Sequence, residues 1–137
     1  MKSMKQLSVV VPLFLAGCAT TGAGVESGTA GVQPDGVACA SATDCAEKWQ
    51  RAEAWLRKHA DWPIRTRTEQ VIETERPRSR WYSRTHYRVT RTPSDGGAVI
   101  RIQASCQPSV YCAPDPEAVR TAFYRYLATG EDRDARH

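Results

Sequence analysis

Cysteines are the residues best placed to do chemistry in this 137-residue chain. Cys39, Cys45, Cys106 and Cys112 form two pairs, each spaced Cys-x5-Cys. An even set of cysteines in a small exported domain reads as disulfides. Three connectivities are open, and the equal spacing favours the local bridges 39–45 and 106–112. Loop entropy pulls the other way. A small loop contributes roughly 2 kcal/mol and one spanning about 60 residues about 4, so geometry must decide. Zinc competes for the same thiolates, but paired cysteines of structural zinc sites are usually separated by two to four residues. Neither pair is Cys-x-x-Cys, so a thioredoxin-like redox site has no support.

The other reactive side chains make no constellation. His59 and His86 have no Ser, Cys or carboxylate at a spacing that would pair a nucleophile with a base. No catalytic residue, metal or cofactor is expected, and the chain reads as a non-enzyme. Arginine is concentrated in residues 64–102, where nine stand against four carboxylates. Arg65, Arg67, Arg84, Arg88 and Arg101 are expected on the open side of a sheet. There they form a candidate anion site, because a guanidinium forks phosphate bidentately. The competing reading is a solvated face with cross-strand pairs to Glu69, Glu73 and Glu75. Trp49 reads as core. Trp55 and Trp62 fall off the main helical stripe and either form a docking patch or close a small core.

The elements that must position these groups follow from periodicity. Asp44-Cys45-Ala46-Glu47 has the form of a capping box. Behind it Cys45, Trp49, Ala52, Leu56 and His59 recur at helical steps, to a stop before Pro63. From Ile64 to Glu75 the period is two, with Ile64, Thr66, Thr68, Gln70, Ile72 and Thr74 on one side and Val71 the exception, which predicts one strand. Trp81, Ser83, Thr85, Tyr87 and Val89 predict a second. Thr92-Pro93-Ser94-Asp95-Gly96-Gly97 signals a turn, and Ala98, Ile100, Ile102, Ala104 and Cys106 a third strand. Asp115-Pro116 opens a second helix with Val119, Ala122, Phe123, Tyr126 and Leu127 on its apolar face, closed by Gly130. The expected fold is α+β: a two-layer sandwich with a three-stranded antiparallel sheet, two helices on one face, and the order α-β-β-β-α.

The chain opens with a short basic segment carrying Lys2 and Lys5, then an apolar run over residues 7–17. That is too short for a transmembrane helix, which needs about 20 apolar residues, and it has the form of a secretory signal. It ends Leu15-Ala16-Gly17-Cys18, which resembles the lipobox of bacterial lipoprotein precursors. The resemblance implies cleavage before Cys18 and acylation of that residue. Two or three acyl chains, at about 0.8 kcal/mol per buried CH2, anchor stably. Ala19 follows, not Asp, which in that family points to the outer membrane. Residues 1–17 are therefore expected as signal peptide and residues 18–43, poor in large apolar side chains, as a lipidated flexible tether with a reach of roughly 25 Å. Residues 44–129 are expected as the folded domain and 130–137 as a disordered tail.

Asp44-Cys45-Ala46-Glu47-Lys48-Trp49, Trp55, and Cys106 with Cys112-Ala113-Pro114-Asp115-Pro116 resemble a group of small Gram-negative lipoproteins without assigned activity. Cys39 falls outside that group's pattern, so its partner stays open. The accessory lipoprotein of the outer-membrane barrel-assembly machine is similar at fold level, but both its helices precede its sheet. Removing Lys2 and Lys5 leaves 17 basic against 15 acidic side chains, a nearly neutral mature protein. The expected role is an interaction or structural module at the periplasmic side of the outer membrane. Its expected partners are the membrane, through the lipid, and an envelope protein. Anionic lipid or glycan on the Arg face is the alternative, and compartment excludes nucleic acid.

Overall fold

The computed structural model describes residues 32–33 and 35–132. The signal segment, the lipobox with Cys18, and the last five residues lie outside the described residues. Two helices accompany antiparallel strands, so the class is α+β; the expected order α-β-β-β-α is corrected, because among the described residues two strands precede the first helix and six separate it from the second. The expectation of a three-stranded sheet does not hold either.

Ser41, not Asp44, caps the first helix, α1 (Ala42–His59). Its Oγ accepts from the Asp44 backbone N–H at 3.1 Å, and the Asp44 carboxylate accepts from the Ala40 N–H at 2.9 Å. The cap lies three residues before the expected one, and Asp44 reaches back one residue past Ser41, to the Ala40 N–H, a variant of the capping box. The second helix, α2 (Pro116–Thr129), begins as read: Asp115 accepts from the N–H groups of Glu117 and Ala118 at 3.0 and 2.9 Å. It ends at Gly130 in the left-handed region, φ 76°.

The main sheet has the order β1-β2-β7-β6-β4-β3, all neighbours antiparallel. The strands are β1 (Val32–Gln33), β2 (Gly36–Cys39), β3 (Ile64–Arg67), β4 (Val71–Thr74), β6 (His86–Ser94) and β7 (Gly97–Ser105). A separate parallel ribbon pairs β5 (Tyr82–Arg84) with β8 (Tyr111–Ala113). Three corrections account for β4, β5 and β2, and β1 and β8 are further strands beyond the expected three. The segment expected as one strand from Ile64 is a hairpin, β3 and β4, turning at Thr68-Glu69-Gln70, where the Thr68 hydroxyl accepts from the Gln70 and Val71 N–H groups at 3.2 and 2.9 Å. The strand expected from Trp81 breaks at Thr85 into β5 and β6. Within the expected tether, β2 adds to β7, with Val37 opposite Ile100.

The core fills the space between helices and sheet. Trp55, Leu56, Phe123 and Leu127 meet Val37, Ile72, Tyr87, Val89 and Ile100, all buried. Trp55, expected off the stripe, is at the centre. Its ring makes edge contacts with Tyr87 and Phe123 at 5.8 and 5.3 Å between centroids. Trp49, expected as core, is half-buried. The buried stripe of α1 is rotated toward Trp55 because the helix packs on α2 as well as on the sheet.

Candidate functional site

Both short bridges form. Cys39–Cys45 ties β2 to the first turn of α1, with Cα atoms 5.0 Å apart. Cys106–Cys112 ties the end of β7 to β8, with Cα atoms 5.6 Å apart. The loop closed by the second bridge carries Pro108, Val110 and Tyr111.

The five arginines expected on one surface are not together. Arg65 and Arg88 converge on Glu73, at 3.3 and 3.4 Å, and Arg76 joins them at 3.0 Å. Arg67 faces the helix layer, because a bulge between Ile64 and Thr66 reverses the strand's alternation, and its Nε meets Glu53 of α1 at 2.8 Å. Arg84 is on the separate ribbon, 4.0 Å from Asp61. Arg101 lies on β7, its stem beside Gly36, where a Cβ would come 3.0 Å from Arg101 Cγ. Arg65, Arg88 and Arg101 thus remain on the open face, where Glu73 has Arg65, Arg76 and Arg88 as partners, while Arg67 and Arg84 are elsewhere. Burial pushes the Glu73 carboxyl up, but the Arg76 hydrogen bond and the charges of Arg65, Arg76 and Arg88 outweigh it and hold it below the ordinary range. Glu53 behaves alike: burial raises it, and the bonds from Arg67 and Arg57 outweigh that and hold it below the ordinary range.

His59 stacks on Trp55, and its Nε2 lies 2.8 Å from Asp132, which also accepts from Lys58. Asp132 belongs to the expected disordered tail, so that expectation is corrected as far as residue 132. His86 is half-buried on β6. Desolvation, then the charge of Arg76, holds its imidazole below the usual histidine range. Among the described residues, no three His, Cys, Asp or Glu side chains come together as a metal site. Nor is any helix there long and apolar enough to cross a membrane.

What the fold exposes is aromatic. Trp81 is 77 % exposed, Tyr82 55 %, Val110 68 % and Tyr111 66 %. Tyr82 and Tyr111 stand opposite each other on the β5–β8 ribbon. Trp81 lines a shallow groove with Arg80, Pro108 and Val110. Trp81 had been expected to face the core. The burial alternation runs back from Val89 through Tyr87, Thr85 and Ser83 and stops there, one residue after the start of β5, and Trp81 lies outside the strand.

The ribbon is held firmly for so small an element. The Val110 and Tyr111 N–H groups donate to the carbonyls of Arg80 and Trp81 at 3.0 and 3.1 Å, and the Ser109 hydroxyl donates to the Ser79 carbonyl. At its base the Thr85 hydroxyl donates to the Pro114 carbonyl at 2.6 Å. The Trp62 indole donates to the Arg84 carbonyl at 2.9 Å, so Trp62 braces the ribbon and is only half-exposed.

Tyr82, Val110 and Tyr111 were not singled out from sequence. The signal was there: two large apolar residues inside a Pro-containing loop closed by a disulfide cannot reach a core. Chemically this surface offers apolar contact, aromatic edges, phenol hydroxyls and guanidinium charge, which suits recognition more than bond making. No family model, curated protein or solved structure matches this chain.

Proposed function

We propose that this chain is an exported lipoprotein of a bacterial envelope. Acyl chains on Cys18 hold it at the outer membrane facing the periplasm, and it works there as a non-enzymatic interaction module. The Leu15-Ala16-Gly17-Cys18 box supports the anchor, and two local disulfides suit an oxidising compartment. The observation that carries the interaction role is the exposed aromatic tip formed by Trp81, Tyr82, Val110 and Tyr111. Trp, Tyr and Arg are the side chains enriched at binding hot spots, and a grouped apolar surface on a small domain marks a contact site. The alternative, anionic lipid or glycan on an Arg-rich sheet face, draws less support, because Glu73 already engages Arg65, Arg76 and Arg88.

Photocrosslinking in the envelope tests the reading. A benzophenone side chain in place of Tyr82 is expected to give discrete adducts, while the same group at Arg125, exposed on α2, gives none. Adducts at Arg125 and none at Tyr82 would place the contact surface elsewhere.

A further inference from the structure

We infer that the aromatic tip inserts into the headgroup region of an anionic lipid bilayer, giving the domain a membrane contact separate from any lipid on Cys18. The inference rests on reading the tip as the contact surface.

Three observations favour a bilayer surface as the occupant. The first is shape. Trp81 and Val110 line one groove while Tyr82 and Tyr111 form a pair outside it, so one narrow ribbon carries two apolar surfaces. A flat, rigid epitope covers one such surface; a fluid interface closes around both.

The second is side-chain chemistry. Trp and Tyr, with apolar rings and one polar atom each, favour the boundary between headgroups and acyl chains. The third is charge. Residues 76–94 contain six Arg and no Asp or Glu, and residues 102–114 contain no charged residue at all. Arg80 lines the groove with Trp81, Arg84 follows Tyr82 on β5, and Arg78 is exposed two residues before Arg80; the carboxylates near them are Asp61, 4.0 Å from Arg84, and Glu75, which shares a pocket with Arg78. Each basic group near an anionic surface strengthens binding about fivefold, and long Arg stems let the charge stay at the headgroups while the rings go deeper.

The bridge Cys106–Cys112 and the backbone bonds from Val110 and Tyr111 keep the rings presented before any contact, which lowers the ordering cost of insertion.

Brominated lipids report the insertion. The processed, lipidated protein is reconstituted into vesicles of brominated phosphatidylcholine, with and without an equal share of phosphatidylglycerol. Trp55 is buried and Trp49 and Trp62 are half-buried, so quenching by bromine reports mainly on Trp81. Quenching is expected in the anionic vesicles and is expected to be much reduced in the zwitterionic ones. It should weaken in 1 M salt, where screening acts within about 3 Å. Trp81→Ser should abolish it, and Arg78→Gln with Arg80→Gln should cut the apparent affinity roughly 25-fold.

A thermal melt of each variant confirms that the fold persists. Should Trp81→Ser fail to fold, Tyr111→Ser, with Trp81 retained, is expected to reduce the quenching instead. Equal quenching in both vesicle types, none in either, or an unchanged signal in Trp81→Ser would overturn the proposal. Protein adducts at Tyr82 without quenching would move the occupant to a protein and leave the contact-surface reading standing. Vesicle attachment reports the anchor and bromine quenching the tip, so failure of one is read apart from failure of the other.

Discussion

The indole of Trp55 stacks on the imidazole of His59, with ring centroids 4.6 Å apart and planes inclined by 27°. The pair joins the middle of the core to the end of α1, and through Asp132 to the residues after α2. Trp55→Ala removes the largest fully buried side chain and is expected to cost about 3–5 kcal/mol. Asp132→Ala removes the part-buried partner of His59 and is expected to cost about 1–2 kcal/mol. Urea unfolding of the two variants checks the contrast. Equal losses would mean that the tail contact is worth far more than its hydrogen bonds allow.

Acid should unfold this protein by way of its two buried glutamates. Glu53 and Glu73 have folded-state pKa values below the ordinary 4.5. Their ion pairs therefore contribute fully above pH 4.5 and are lost as pH falls below it through the folded values. His86, held below 6.5, adds a loss of the same sign that begins as pH drops under 6.5. Stability measured from pH 8 to pH 3 should fall slowly at first and then steeply below pH 4.5. Glu73→Gln should lower stability at pH 7, leaving Arg65, Arg76 and Arg88 without their shared charge, and should flatten the acid limb. A variant with the wild-type acid profile would exclude Glu73 as a source of the pH dependence.

Two adjacent glycines should behave differently. Gly96 sits in the two-residue turn between β6 and β7 at φ 73°, with open space around its missing side chain. Gly96→Ala is expected to cost about 1 kcal/mol for the left-handed backbone alone. At Gly97 a Cβ would collide with the Cys39 carbonyl on the neighbouring strand β2. Relief requires backbone movement beside a disulfide, so Gly97→Ala is expected to cost clearly more, about 2–4 kcal/mol. Melting temperatures of the two single variants test the order, and Gly96→Ala proving the worse would break the argument.

Cysteine chemistry separates anchor from fold. Cys18→Ala is expected to abolish processing and membrane attachment while leaving both bridges intact. Reduction of the processed chain is expected to destabilise it by roughly 2 kcal/mol for each short loop. Fractionation reads the first outcome, and thiol titration of the unfolded, unreduced protein reads the second. A processed, membrane-bound Cys18→Ala protein would remove the lipidation reading. Four reactive thiols before reduction would remove the bridges.

Local chemistry made part of this fold legible in the sequence. Asp115-Pro116 and Gly130 marked the ends of α2 because capping needs only neighbours in the chain. Equal Cys-x5-Cys spacings favoured two short bridges, and Asp95-Gly96 marked the turn between the longest strands, for the same reason. Other features depended on partners remote in sequence. The bulge at Arg65 reversed the side on which Arg67 emerges, so an alternation read along the chain carried Arg67 to the wrong face. Val71, the exception to that alternation, marked a hairpin that shows only once Ile72 is seen against Val89.

Gly36-Val37-Ala38-Cys39 is too short and too small-chained to declare itself a strand. Its order comes from pairing with β7. The aromatic tip is the plainest case. Tyr82 and Tyr111 are 29 positions apart, and only the tertiary structure, by pairing β5 with a strand at the end of the loop closed by Cys106–Cys112, decided that they stand opposite each other in solvent.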